Sequence, residues 1–251
     1  MESGNLFVGH TVLTFDQLPS TNDYLKALTK EKTIPEGTVV LTKDQTAGRG
    51  QKGNTWSSEK NKNLTFSIYL KPSFLQAAKQ FYLSMVTAVA IIEFLQTYTI
   101  PAQIKWPNDI LVQKKKICGI LIENTLKGKS IGESIIGIGL NVKQQNFAGL
   151  NATSMTEHNP SVNAIDLKVL LHDILSIFEK YYLKLRQGKG DEIEQLYFSH
   201  LFGKDGMRIK TGDSVYNVKI KHINQNGSIV LAFDNGTEKE FWFKAFETII
   251  E

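Results

Sequence analysis

A short polar segment, Lys105-Trp106-Pro107-Asn108-Asp109, places a cation, an amide and a carboxylate within five residues. Pro107 restrains the residue before it to an extended conformation and favours a turn, so the polar side chains would be displayed together. Lysine can neutralise a phosphate, and a carboxylate can bind the Mg²⁺ ion that accompanies it. The segment therefore predicts phosphate chemistry, although a turn stabilised only by the Asn108 and Asp109 side chains fits the same residues. Trp106 itself is expected in the core.

A second polar segment, Gly48-Arg49-Gly50-Gln51-Lys52-Gly53, has the spacing G-x-G-x-x-G. No helical period follows it, as a dinucleotide-binding fingerprint would require, and Asn54 stands where a P-loop needs lysine. Glycines nevertheless let a backbone approach a ligand, and free N–H groups can hold an anion. Composition alone leaves an anion-binding loop and a plain solvated surface loop equally open.

Two apolar, strand-like runs carry the remaining candidates. Lys116 borders the run 117–123 and is expected to point inward, whereas the two lysines before it fit the solvated tip of a hairpin. The run 137–142 contains glycines, which inside a strand often mark the close approach of a ligand or another backbone. Asn141 in that run could pair with an adenine edge, or it could be a hydrogen-bonded core residue.

Alternating strand-like and helix-like patterns must position these residues. Ser20 or Thr21 is expected to cap a helix that begins near Asn22. Long helices with one buried face are predicted at 76–98 and 166–185. Six strands are predicted at 38–43, 64–70, 104–106, 110–113, 117–123 and 133–142. A glycine-rich loop is predicted at 44–62.

Beyond Gly203 the pattern changes to short strand-like runs separated by Gly212-Asp213, Asn226-Gly227 and Asn235-Gly236. Asn-Gly pairs favour tight hairpins with positive φ. We predict an α+β fold, with a mixed sheet and helices over residues 1–203, followed by a small β barrel of about five strands over residues 204–251.

Composition narrows the class of protein. The 29 basic and 25 acidic residues give a net charge of +4, which suits anionic substrates but is too weak and scattered to predict nucleic-acid binding. A single cysteine, Cys118, excludes a disulfide framework within the chain and favours a reducing compartment. No secretory signal is recognisable in residues 1–7, and the apolar helix containing Glu93 is predicted to be too short for a bilayer. We expect a soluble cytoplasmic protein without nucleic-acid or membrane partners.

In their order and spacing these segments resemble the catalytic and C-terminal domains of biotin protein ligases. The matching pieces extend over essentially the whole chain: Ser20-Thr21-Asn22, Gln45-Thr46-Ala47-Gly48-Arg49-Gly50, Lys105-Trp106-Pro107-Asn108-Asp109, Lys116 with Gly119-Ile120-Leu121, and Gly137-Ile138-Gly139-Leu140-Asn141. The resemblance implies a class II synthetase-like catalytic domain over 1–203 and an SH3-like barrel over 204–251. It also implies a ligase that converts biotin and ATP into biotinyl-5′-AMP and transfers biotin to a lysine of a biotin carboxyl carrier domain.

The resemblance further implies roles for individual residues. Lys116, Arg49 and Lys105 would be catalytic. Biotin would contact the helix start, the glycine loop and the strand after Lys116, through Ser20, Thr21, Asn22, Gln45, Gly48, Arg49, Gly50, Gln51, Lys116 and Gly119. ATP would contact an overlapping set, namely Gln51, Asn54, Trp56, Lys105, Asn108, Asp109, Lys116 and Asn141. Asp109 would hold the Mg²⁺ ion that accompanies ATP.

The sequence departs from the commonest family pattern in the glycine loop. Many members carry further arginines there, in the pattern G-R-G-R-x-G-R-x-W, where this chain has Gln51 and Asn54. Lys52 is expected to compensate in part. Because only about nineteen residues precede Ser20, the expected form is monofunctional, without an N-terminal DNA-binding domain, and either a monomer or a weak homodimer.

Two alternatives stay open at this level. A lipoate ligase or transferase has a related fold, but neither its R-R-x-S-G-G-G signature nor the His-Asp pair that follows it is present. A non-catalytic biotin- or adenylate-binding module is disfavoured because Lys116 and Asp109 are both retained.

Overall fold

The computed structural model describes residues 4–250, apart from the side chain of Lys52. Within these residues there are five α-helices: α1 (Thr21–Glu31), α2 (Phe81–Thr97), α3 (Met155–His158), α4 (Leu167–Arg186) and α5 (Gly190–Ser199). The strands of the larger part are β1 (Val12–Phe15), β2 (Val39–Thr42), β3 (Gly48–Arg49), β4 (Thr55–Trp56), β5 (Leu64–Leu70), β6 (Gln103–Lys105), β7 (Asp109–Val112), β8 (Lys115–Lys127) and β9 (Ser130–Leu140). The strands of the C-terminal part are β10 (Met207–Thr211), β11 (Ser214–Ile223), β12 (Ile229–Phe233), β13 (Glu238–Phe241) and β14 (Glu247–Ile249).

Seven strands form one mixed sheet in the order β1-β2-β5-β9-β8-β7-β6. Only β1 and β2 are parallel; the other neighbours are antiparallel. Consecutive residues of a strand point to opposite faces, and Val40 packs with α1 while Val39 belongs to the main core. Helix α1 therefore covers one face of the sheet, and α2 lies against the other.

Strand β5 alternates in sequence as predicted, but all seven of its residues are buried. Its apolar residues, such as Phe66 and Ile68, join the main core. The intervening Thr65 and Ser67 point to the other face, where they are 5% and 0% exposed. The polar face of this strand therefore lies against other protein groups.

Helix α2 differs from the prediction of one buried face. Thirteen of its residues are buried, because it packs against the sheet on one side and against α4 and α5 on the others. The segment Ala77–Thr97 is long and apolar enough to cross a membrane by length and composition, so the expectation that it is too short was wrong. Of an 18-residue apolar window within this segment, 72% is buried inside the protein, as expected for the central helix of a core.

The helix caps follow the sequence closely. Ser20 caps α1 by accepting a hydrogen bond from the backbone N–H of Asp23, and Asp166 caps α4 by accepting from that of Lys168. Strand β1 and helix α5 were not predicted. The first described residues are held by the buried Glu179 of α4, whose carboxylate accepts from the backbone N–H groups of residues 6–8.

The C-terminal part is an antiparallel sheet of five strands, the number predicted, in the order β13-β12-β11-β10-β14. In both Asn-Gly turns only the glycine has positive φ. The asparagine instead accepts, through its side chain, from the backbone two residues on; Asn226 does so from Ser228 and Asn235 from Thr237. The predicted boundary between residues 203 and 204 precedes β10 and stays a prediction, since the apolar core is continuous across it.

Trp106 joins the two parts, which confirms its expected place in the core. Its indole N–H donates to the backbone carbonyl of Gly227 at 3.0 Å, and its ring stacks on Phe246 with an interplanar angle of 12°. The lysine before it and the turn after it are thereby held next to the C-terminal sheet.

Candidate active site

A cavity of about 1120 Å³ opens on the face of the central sheet that α1 covers in part. Nearly all of the residues predicted from the sequence line it: Ser20, Thr21, Asn22, Gln45, Arg49, Gly50, Gln51, Asn54, Trp56, Lys105, Asn108, Asp109, Lys116, Gly119 and Asn141. Gly48 is the exception. It lies against the Gln45 side chain and the Trp56 backbone, so close that a Cβ atom there would overlap both.

The floor of the cavity is a chain of buried hydrogen bonds. The Ser67 hydroxyl lies 2.6 Å from both Thr21 Oγ1 and Asn22 Oδ1. Gln45 Oε1 accepts from the Thr21 backbone N–H at 2.9 Å and faces the Thr21 hydroxyl at 3.4 Å. Because Thr21 and Asn22 are each only 3% exposed, packing fixes their rotamers. We call Thr21, Asn22, Gln45 and Ser67 the polar floor.

The glycine loop forms a small hairpin of β3 and β4 above this floor, with a 3-10 turn between them over Gln51–Gly53. Arg49 binds Asp23 of α1 and Glu123 of β8, with Nη2–oxygen distances of 2.5 and 3.1 Å. The only predicted cation of this loop whose side chain is described therefore binds carboxylates of the protein. The prediction for Lys52 falls on a side chain outside the described residues. We call residues 48–56 the lid.

The glycines of β8 and β9 leave space for the lid as well as for a ligand. A Cβ atom at Gly139 would overlap the Trp56 ring, and one at Gly119 would lie 3.1 Å from it. A Cβ atom at Gly137 would overlap the Asn22 side chain. The Trp56 indole N–H is buried and has no hydrogen-bond partner among the described residues, so it is a donor available to a bound molecule.

Lys116 points into the cavity, as predicted. Its Nζ lies 2.6 Å from Asp109 Oδ1 and 5.6 Å from the centre of the Trp56 ring. Lys105 and Asp109 are opposite each other in the β6–β7 hairpin, on either side of the turn that Pro107 occupies. The structure therefore brings two lysines and one carboxylate to the same wall.

Asn108 and Asn141 are both tied to the backbone. The Asn108 amide donates to the carbonyl of Ile120 at 2.9 Å, and that of Asn141 donates to the carbonyl of Thr153 at 3.1 Å. The hydrogen bond of Asn141 is the one expected of a satisfied core residue. Its predicted contact with adenine stays a prediction.

Sequence reasoning missed several residues of the site. Two are polar residues on strands, Ser67 of the floor and Glu123 beside it; strand alternation could have indicated both. Two further groups line the mouth of the cavity: Phe147, Leu150, Asn151 and Ala152 after β9, and Lys244, Phe246, Glu247 and Thr248 from the C-terminal sheet. No local motif marks these two groups, because the fold alone brings them to the cavity.

Cys118 takes no part in the chemistry. It is fully buried, and burial raises the pKa of its thiol far above the usual value. A thiol that stays protonated in a closed core is inert as a nucleophile, which agrees with the predicted structural role.

A family model for the biotin/lipoate A/B protein ligase family matches residues 14–141, about half of the chain and most of the cavity wall. The chain belongs to this family. The bifunctional ligase/repressor BirA of Bacillus spizizenii is 32% identical over 240 residues, covering 92% of this chain and 72% of that relative. The biotin--[acetyl-CoA-carboxylase] ligase of Paracoccus denitrificans is 36% identical over 115 residues, 44% of this chain and 46% of that relative.

A solved structure of the same family, the biotin protein ligase from Aquifex aeolicus in complex with biotin and ATP, is similar throughout. Its TM-score is 0.78 at 25% identity, covering 96% of this chain and all of that chain. These similarities place the chain among the biotin protein ligases of the family, and they confirm the predicted fold and the resemblance drawn from the motifs.

The wall around Asp109 fits the Mg²⁺ ion that accompanies ATP. Within residues 4–250 no cluster of three or more histidine, cysteine, aspartate or glutamate side chains could form a resident metal centre. A magnesium ion bound mainly by phosphate oxygens and water needs only one or two protein carboxylates. Asp109 lies beside the two lysines that would face those phosphates, so its carboxylate suits this use.

Proposed function

We propose that this chain activates biotin with ATP to give biotinyl-5′-AMP and pyrophosphate, and then transfers biotin to a lysine of a biotin carboxyl carrier domain. The observation that carries the proposal is one cavity that holds both the polar floor and the Lys116–Asp109 wall. The floor suits a small neutral group with donors and acceptors, such as a ureido ring. The wall suits anions.

In the first step an oxygen of the biotin carboxylate attacks the α-phosphorus of ATP, and pyrophosphate leaves. The attack brings two anions together, so a fixed cation between them lowers the barrier. Lys116 is the residue for this role because it is the lysine turned inward from β8. Lys105 and Asn108 would serve the phosphates, and Asp109 would hold Mg²⁺, which neutralises charge on the phosphate oxygens when bound.

In the second step the neutral amine of the carrier lysine attacks the acyl carbon, AMP leaves, and the amine proton passes to solvent. Neither step needs a nucleophile from the protein, in keeping with the inert Cys118. Positioning on the floor and charge neutralisation at the wall then supply the rate acceleration. The lid over the cavity would shield the reactive mixed anhydride from water until the carrier arrives.

Transfer to a purified carrier domain tests the proposal directly. With biotin and ATP, mass spectrometry should show one biotinyl group on the carrier, and none on a carrier whose acceptor lysine is replaced by arginine. A parallel reaction with lipoate and a lipoyl carrier domain should give no product. Lipoylation without biotinylation would support the lipoate-ligase alternative, and no product with either acid would support a non-catalytic binding module.

A further inference from the structure

Glu123 connects the polar floor to the lid. Its Oε2 accepts from Asn22 Nδ2 at 2.9 Å and from Arg49 Nη2 at 3.1 Å, while Oε1 lies 3.8 Å from Lys26 Nζ. Its side chain is 25% exposed, so these interactions are only partly screened by water. One carboxylate thus touches both a residue of the floor and the cation of the lid.

Strand register explains how Glu123 reaches this place. Gly119, Leu121 and Glu123 point to the same face of β8, and the first two line the cavity. Glu123 is the next residue along that face, where α1 crosses the sheet. It therefore lies just outside the cavity wall, and behind Asn22 as seen from the cavity.

A carboxylate can only accept hydrogen bonds, and this sets the direction of the hydrogen bonds around Asn22. The NH₂ end of the Asn22 amide donates to Glu123 at 2.9 Å and to the Leu121 carbonyl at the longer distance of 3.4 Å, so the carbonyl end of Asn22 faces Ser67. The Ser67 hydroxyl then donates its single proton to Asn22 Oδ1, and the Thr21 hydroxyl, 2.6 Å away, donates to Ser67 Oγ. The Gln45 amide is oriented separately: its Oε1 accepts from the Thr21 backbone N–H, and its NH₂ group lies near Gly48 of the lid.

We infer that Glu123 is a positioning residue: it holds the Asn22 amide with its carbonyl end toward Ser67, and through Arg49 it couples that arrangement to closure of the lid. The inference rests on the proposed function, because a ureido group needs this defined pattern of donors and acceptors. It goes beyond it by making biotin recognition depend on a residue outside the cavity.

Glu123→Gln tests the inference, because glutamine keeps the size but can donate as well as accept. The Kd for biotin, measured by calorimetry without ATP, should rise about tenfold, which corresponds to about 1.4 kcal/mol. The KM for ATP should change less than twofold, since Glu123 lies on the far side of the floor from Lys116. A loss of packing alone would not separate the two substrates in this way.

Asp23→Asn is the matched control, because the Asp23 carboxylate also binds Arg49 but is not a hydrogen-bond partner of the Asn22 side chain. Were Glu123 to act only by holding the lid, both variants would weaken biotin binding equally, and the inference would be wrong. We expect the effect of Glu123→Gln to exceed that of Asp23→Asn at least threefold.

Glu123→Asp provides a second measurement should Glu123→Gln fold poorly. It keeps the charge but withdraws the carboxylate from Asn22 by about one C–C bond. Biotin should again bind several-fold more weakly, and a biotin Kd within twofold of wild type would overturn the inference. Failure of the proposed function is a different result, since the wild-type chain itself would then not transfer biotin to a carrier domain.

Discussion

The floor and the lid of the cavity are built in opposite ways. Floor residues such as Asn22 and Ser67 are at most 3% exposed, and strands and α1 hold them on every side. In the lid, Arg49, Gly53, Asn54 and Thr55 are exposed, and its two strands have two residues each. It is held by the Trp56 ring and by ion pairs of Arg49, which is 44% exposed. Exposed ion pairs contribute only about 0–1 kcal/mol each.

This difference explains how one site can bind a particular small molecule selectively and still open. A rigid floor fixes the recognition of one small molecule, since its groups need not reorganise on binding. A weakly held lid can close over the intermediate and release it to a carrier. The following predictions test whether the two regions act separately, in order of decreasing effect.

Replacing the cation of the wall should have the largest effect. Lys116→Ala should lower the rate of adenylate formation on the order of a hundredfold or more, the usual loss on removing one contact to transition-state charge, about 3 kcal/mol. Single-turnover formation of biotinyl-AMP measures it. Lys114→Ala, in the exposed turn before β8, should behave like wild type. Equal rates for the two variants would show that the wrong lysine has been placed in the site.

Displacing the lid from the floor should have the next largest effect. A methyl group at Gly139 would overlap the Trp56 ring, so Gly139→Ala should displace Trp56. Overpacking of this kind costs about 1–3 kcal/mol, which corresponds to about a five- to 150-fold loss in kcat/KM.

Gly132→Ala on the same strand is the control, because the nearest atom to its new methyl group belongs to Lys127, outside the cavity. Steady-state kinetics on both variants measures the loss in kcat/KM. A Gly139→Ala enzyme as active as the control would mean that Trp56 does not need its place against β9.

Strengthening the lid should have a smaller effect. Gln51→Arg adds a cation where the chain has a neutral residue, and hydrogen bonds to charged groups contribute about 1.5–3 kcal/mol. Release of radiolabelled biotinyl-AMP without carrier should slow about tenfold. Gln187→Arg, after the end of α4 and exposed, should leave release unchanged. Unchanged release from Gln51→Arg would show that charge at this position does not hold the lid.

The smallest expected effect is a pH dependence of folding stability that arises from His158, in the segment after β9. Burial lowers the pKa of His158, whose Nε2 lies 2.9 Å from Thr153 Oγ1. The unfolded chain, with a histidine pKa of about 6.5, therefore binds a proton more readily than the folded chain. The stability contributed by neutral His158 is full above pH about 6.5 and is lost as the pH falls below it.

Urea unfolding at pH 7.5 and pH 5.5 measures this contribution. Between pH 7.5 and pH 5.5, the urea concentration at the unfolding midpoint should fall less for His158→Gln than for wild type. All other titrating groups are shared by the two proteins. An equal fall in both proteins would show that His158 is not penalised by burial.

Sequence could predict those parts of the molecule that local chemistry determines. The cap at Ser20, strand β5 and the inward turn of Lys116 follow from residue type and spacing alone. The alternation in β5 was also read correctly, but a single sequence does not reveal that its polar face is buried against Asn22 instead of facing water.

What the sequence could not show depends on contacts between distant residues. Glu123 lies 101 residues from Asn22, and no motif links them. Arg49 has the residue type of a phosphate ligand, yet folding brings two carboxylates within its reach. The strand glycines were expected to mark the close approach of a ligand or another backbone, and the structure places the side chains of Trp56 and Asn22 against them.

Exchange of labelled pyrophosphate into ATP tests the central claim most directly, because it reports formation of an acyl-adenylate in the cavity without any carrier. The floor that we describe suits a ureido ring, and the wall suits the joining of a carboxylate to a phosphate. Exchange should therefore appear with biotin and remain at background with lipoate, which has a carboxylate but no ureido ring. Exchange with lipoate equal to that with biotin, or none with biotin, would contradict the account.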